Sequence, residues 1–215
     1  MIFDYQYDMT SLPIVDISPF LDPNSSSASR LETARWLDHA CRTFGFFYLS
    51  SHNIPSADIH KILSLAHTFF ALPASEKESI KLQPAGVHDG DGARGYQNIG
   101  QNVTQGKRDW HEGLDFYRPV PSVKPPFLPI RGENKWPSGE FRQVYETYID
   151  KLLVLGRAVM RAIALGLGER DNYFQGLVNE SFWVMRAIGY PPLESGEEGG
   201  ISCGEHTGTV STFTC

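Results

Sequence analysis

From Gly139 to Leu167, apolar residues return at helical spacing without a break: Phe141, Val144, Tyr148, Leu152, Leu155, Val159 and Ile163. This pattern predicts one long helix with a single buried stripe, closed by Gly166-Leu167-Gly168. It is the longest regular element the chain can hold. Two irregular segments precede it. Pro119 to Pro137 carries several prolines that forbid regular helix, and Pro84 to Gly106 is rich in Gly, Asp, Asn and Gln.

The other predicted elements are short. Leu12 to Ile17 alternates apolar residues and stops at Ser18-Pro19, as a strand followed by a turn does. A Ser-rich loop leads into a helix, where Ser29 and Glu32 have capping-box spacing. Leu31, Ala34, Leu37, Cys41 and Phe44 mark its expected buried face, which places the Cys41 thiol inside. Gly45 ends it, and Phe46 to Leu49 reads as a buried strand. After Ile54-Pro55 a second helix carries Ile59, Ile62, Leu63, Ala66, Phe69 and Phe70 on one side, with His60 and His67 expected in solvent or satisfied locally. Leu72-Pro73 stops it, and a short helix restarts at Ser75. Beyond the long helix, Phe182 to Ile188 reads as a strand buried on both faces. Helices crowd the first two-thirds and strands resume only near the end, the order of an α+β protein.

Several chemistries are excluded. The glycine-rich run Gly86 to Gly95 lacks the Gly-Lys-Ser/Thr of a phosphate loop. As a calcium loop it fails at Ala93 and Arg94, so it reads as a mobile surface loop lining an entrance at most. Upstream of His206, the histidines 39, 52, 60, 67, 88 and 111 include no zinc-helix pair. No nucleophile elbow occurs. A net charge of −6 offers no field for nucleic acid or an anionic membrane. Three widely spaced cysteines, 41, 203 and 215, point to a reducing compartment. With no signal peptide and no membrane-length apolar run, the expectation is a cytoplasmic protein.

A series of segments then resembles one family in order. Leu12 to Ile17 is followed by Ala40-Cys41-Arg42-Thr43-Phe44-Gly45-Phe46-Phe47 and by His52-Asn53-Ile54-Pro55. Next come Phe69 to Pro73 with Glu76-Lys77, Arg94-Gly95-Tyr96, Asp109 to Phe116 and Asn134-Lys135-Trp136-Pro137. Arg186 to Pro192 and Gly204-Glu205-His206-Thr207 close the series. The chain resembles the non-haem iron, 2-oxoglutarate-dependent dioxygenases related to isopenicillin N synthase. The resemblance implies an N-terminal domain over residues 12–137. It also implies, over 138–215, a long helix and the start of a double-stranded β-helix (jelly-roll) core that is incomplete, a C-terminal truncation.

The resemblance further implies Fe(II) and 2-oxoglutarate as cofactors and a small organic molecule as substrate. His206 matches the first metal histidine. Tyr190 matches the tyrosine that contacts the co-substrate carboxylate, and Arg186 matches a basic position on the same strand. Two histidines and a carboxylate on one face of the iron leave three positions open for chemistry. Here Gly208 stands where the carboxylate is expected, and Glu205 faces the other way if this segment is a strand. The second histidine and the Arg-x-Ser pair are expected beyond Cys215. The expectation is therefore a family member whose 215-residue chain does not retain the cofactors and is inactive. The alternative is a non-catalytic regulatory or interaction protein derived from that family.

Overall fold

A computed structural model describes residues 11–104, 106–121 and 124–192. In chain order the elements are β1 (Ile14–Asp16), α1 (Ser18–Leu21), α2 (Ser27–Thr43), β2 (Tyr48–Ser50), α3 (Ser56–Phe70) and α4 (Ala74–Glu78). They continue with β3 (Gly95–Gln97), β4 (Val103–Thr104), β5 (Lys107–Arg108), β6 (Glu112–Tyr117), α5 (Gly139–Gly166), α6 (Gln175–Val178) and β7 (Val184–Gly189). The α+β reading holds, and the long helix lies where its stripe placed it. Among the described residues no helix is long and apolar enough to cross a membrane.

The elements fall into two compact units. One comprises the chain up to Ile54 together with Asp150–Ser181; the other comprises Pro55–Ile149 and the chain from Phe182.

In the first unit β1 and β2 run parallel, with Ile14 opposite Tyr48 and Val15 opposite Leu49. Val15 and Ile17 are fully buried with Ala34, Leu37 and Ala40 of α2. Helix α2 starts at Ser27, two residues before the expected Ser29 cap. Ser26 caps it, its hydroxyl accepting from the Ser29 N–H at 3.1 Å. Ala40 is buried and Cys41, one position further on, is exposed, which corrects the buried-thiol expectation. The strand after it is also corrected. Phe46 is 73% exposed and Tyr48 62%; among the described residues β2 has one neighbour, and Tyr48 sits opposite the equally exposed Ile14. His60 and His67 of α3 (in the second unit) lie in solvent as expected.

The second unit is organised by a three-stranded antiparallel sheet, order β3-β6-β7. One face is apolar. Tyr96, Leu114, Phe116 and Ala187 are buried, and Phe69, Phe141, Tyr145 and Trp136 pack there as an aromatic cluster. Phe116 stacks on Trp136 and Phe141 on Tyr145, each with centroids 4.1 Å apart. Within this apolar side lies a polar knot. Lys77 donates to Glu112 at 2.6 Å and to the Phe70 carbonyl at 3.0 Å, while the Tyr96 hydroxyl donates to Glu112 at 2.5 Å. Burial, then the hydrogen bond to Glu112, pushes the Tyr96 phenol well above its usual range.

The glycine-rich run lies on the surface from Gly86 to Asp89 and at Gly92, but Gly90, Asp91 and Ala93 to Gly95 are buried, unlike a surface loop. Asp91 and Arg94 are buried and ion-paired. The Asp91 carboxylate also accepts the backbone N–H groups of Ala93, Arg94 and Gly132 at 2.9–3.0 Å. The Arg94 guanidinium donates to the Arg118 carbonyl and to Asn134. The network ties residues 91–94 to the turn at Gly132 and feeds the chain into β3. Strand β7 is corrected as well. Met185, Ala187 and Gly189 face the core side, while Val184 and Ile188 are exposed on the other.

Candidate functional site

The second face of the sheet carries a further set of polar groups. Strand alternation places Asp115 and Gly113 of β6 on this face with Gln97 of β3 and Arg186 and Ile188 of β7. Asp115 pairs directly with Arg186 and Gln97 with Gly113 across the ladders. Arg186 grips Asp115 with two hydrogen bonds, Nε to Oδ1 at 2.7 Å and Nη2 to Oδ2 at 2.6 Å. This is the fork geometry that favours arginine over lysine. The Asp115 hydrogen bond, opposed by burial, raises the Arg186 guanidinium above its usual range, so it stays charged.

The polar chain continues sideways. Gln97 Nε2 donates to Asp115 Oδ2 at 2.8 Å, and Asn102 Nδ2 donates to Gln97 Oε1 at 3.0 Å. Asn102 Nδ2 also lies 3.4 Å from His111 Nε2. Glu112 pairs with Gly189, so extending the ladder by one residue sets His111 opposite Tyr190. Their rings meet there with centroids 5.7 Å apart. A continuous row thus runs from Arg186 through Asp115, Gln97, Asn102 and His111 to Tyr190.

Of the three site residues expected from the sequence, the structure brings two, Arg186 and Tyr190, to one face of one strand run. His206, with Glu205 and Gly208, lies outside the described residues. Asp115, Gln97, Asn102 and His111 are members that the sequence reading did not single out. Their signal was present: His111, Gly113 and Asp115 alternate with Leu114 and Phe116, the period of a half-buried strand.

Residues 12–139 match the family described as non-haem dioxygenase in morphine synthesis N-terminal. The match takes in more than half of the chain and includes β3, β6 and the Asp91 network. This chain belongs to the non-haem iron, 2-oxoglutarate-dependent dioxygenases. A homoarginine-6-hydroxylase of Arabidopsis thaliana is 39% identical over 217 residues, 96% of this chain and 58% of that protein. A full-length Neurospora crassa protein crystallised with alpha-KG and thymine superposes with a TM-score of 0.70 at 26% identity, over 91% of this chain and 61% of that one. A 2OG-Fe(II) oxygenase family protein from Caulobacter crescentus gives a TM-score of 0.68 at 25% identity, over 85% and 57%. The chain therefore spans 57% to 61% of the length of these three relatives.

In dioxygenase terms, the fold is the helical N-terminal region running into strands of the jelly-roll core. Among the described residues no group of three or more His, Cys, Asp or Glu side chains is placed to hold a metal ion. The described residues do not fit the iron on their own. Asp115, the buried carboxylate on the polar face, is committed to Arg186 and Gln97.

Proposed function

We propose that this chain comes from an Fe(II)- and 2-oxoglutarate-dependent oxygenase lineage acting on a small amino acid with a cationic side chain, and that the 215-residue polypeptide does not itself complete the metal centre. The family reaction couples oxidative decarboxylation of 2-oxoglutarate to oxidation of a small organic substrate. The homoarginine-6-hydroxylase relative supports the substrate class. Arg186 and Tyr190, on the polar face with Ile188 between them, are the co-substrate-facing pair in this reading.

One observation carries the claim of inactivity. Gly208 has no side chain two residues after His206, where the resemblance puts the metal carboxylate. Without that carboxylate the three-ligand face lacks its anionic member. Gly208 equally favours the second reading, a non-catalytic protein derived from the family. The exposed Ile14, Phe46 and Tyr48 of the first unit are apolar surface of the kind such a protein uses.

The test is anaerobic Fe(II) titration of the purified chain, followed by succinate release from 2-oxoglutarate in air, with and without L-homoarginine. Weak, non-stoichiometric iron binding and no succinate above the protein-free control are expected. Stoichiometric iron binding with catalytic succinate release overturns the proposal.

A further inference from the structure

We infer that His111 presents a buried N–H donor to the carboxylate of a small organic molecule on the polar sheet face, beside Tyr190. The ligand class rests on the family reading above; the donor assignment does not.

The assignment follows from the hydrogen-bond row. Asp115, gripped by Arg186, is an acceptor. Gln97 therefore turns its Nε2 toward Asp115, which fixes the amide and leaves Oε1 to accept from Asn102 Nδ2. That Asn102 nitrogen is also the atom facing His111 Nε2. A donor at that position makes Nε2 the acceptor, so the neutral imidazole carries its proton on Nδ1. His111 Nδ1 is buried and has no hydrogen-bond partner among the described residues. Orphan buried donors of this kind are rare in folded proteins, because their lost hydration goes uncompensated.

The surroundings suit an oxygen acceptor. Gly113, the next residue on this face, has no side chain, and a Cβ there would meet only the Ala187 carbonyl, at 3.8 Å. Arg186 neutralises Asp115 two positions further along β6, so an incoming anion meets no unpaired negative charge on this row. An N–H donor beside a tyrosine on such a face selects a carboxylate over a cation. Both a 2-oxo dicarboxylate and an amino acid offer one.

The full chain, 15N-labelled in histidine, is observed by long-range 1H–15N correlation at neutral pH. Separate samples receive 2-oxoglutarate, L-homoarginine, or the amine left when homoarginine loses its carboxylate. His111 is expected in the Nδ1–H tautomer. Its Nδ1 resonance moves with one or both carboxylates and stays put with the amine, and the arm that responds names the source. His111→Phe weakens that carboxylate's binding about tenfold, the worth of one hydrogen bond. His111→Asn, whose amide N–H falls near the Nδ1 position, recovers most of it. An Nε2–H tautomer, a resonance unmoved by either carboxylate, or undiminished affinity in His111→Phe overturns the inference. Iron binding and succinate release are measured on the same samples. A failure of the family reading therefore shows there and leaves the tautomer result standing.

Discussion

Asp91 and Arg94, three residues apart in a glycine-rich run, form an ion pair with both side chains buried. Asp91 holds three backbone N–H groups besides. Its carboxylate therefore shapes the loop and pins it to Gly132, where a Cβ would come within 2.9 Å of the Asp91 side chain. Arg94 reaches onward to Arg118 and Asn134, and Asn134 bonds both the N–H and the carbonyl of Tyr117 at the end of β6. A segment with no apolar periodicity is thus a fixed part of the sheet's support.

Asp91→Ala leaves the buried Arg94 charge without its counter-ion. Removing one member of a buried pair costs about 3–5 kcal/mol, so the urea midpoint of the second unit should fall sharply. Arg94→Ala should cost a similar amount, and the double variant less than the sum of the two. Additive losses would count against the coupling.

Acid stability should carry the same signature. Burial by itself would raise the Asp91 carboxyl, but hydrogen bonds from the Arg94, Gly132 and Ala93 N–H groups and from the Arg94 side chain outweigh it. The folded value therefore lies below the ordinary 3.8. A carboxyl depressed by folding contributes stability that is present above its unfolded value and lost as pH falls through its folded one. Melting temperatures should hold down to about pH 4 and drop below it. In Asp91→Asn that portion of the acid slope should be missing.

The Lys77–Glu112–Tyr96 knot makes an ordered prediction. Glu112→Gln strands the buried Lys77 ammonium and should cost about 3–5 kcal/mol. Tyr96→Phe removes one hydrogen bond to a charged group and should cost about 1.5–3 kcal/mol. Lys77→Met combined with Glu112→Met should be more stable than Glu112→Gln alone, because no charge is then left buried. Chemical denaturation of the three variants ranks them; the reverse order would show that the Lys77–Glu112 ion pair is not what holds the knot.

Gly95 and Gly113 lie on neighbouring strands and should respond oppositely to alanine. Gly95 has φ +119°, and a Cβ there would meet the Ile80 carbonyl at 2.6 Å. Gly95→Ala should cost about 1–3 kcal/mol and speed amide exchange at Tyr96 and Leu82, which bond across that contact. Gly113→Ala meets nothing closer than 3.8 Å and should be near neutral in stability. Hydrogen exchange on both variants checks the contrast.

The sequence itself determined a good deal. The stripe from Phe141 to Ile163 was enough to place α5, and the ordered segments from Leu12 to Thr207 were enough to point to the family. Both are local signals, carried by spacing along the chain. It missed β3 and β6, although His111, Gly113 and Asp115 alternate with Leu114 and Phe116. Buried Glu112 breaks that pattern at a position where Lys77, 35 residues away, and Tyr96 make a carboxylate tolerable.

The burial of the short elements was also settled outside local pattern. Cys41 and Phe46 read as core residues, yet they lie in solvent. In α2 Ala40 takes the buried position next to Cys41, and among the described residues β2 pairs only with β1. The polar row is likewise a product of tertiary structure. Its members come from β3, the turn at Asn102, β6 and β7, and the register of three strands aligns them. A hydrogen bond requires two groups within about 3 Å, and residues 71 positions apart, such as Asp115 and Arg186, meet that condition only once the sheet has formed.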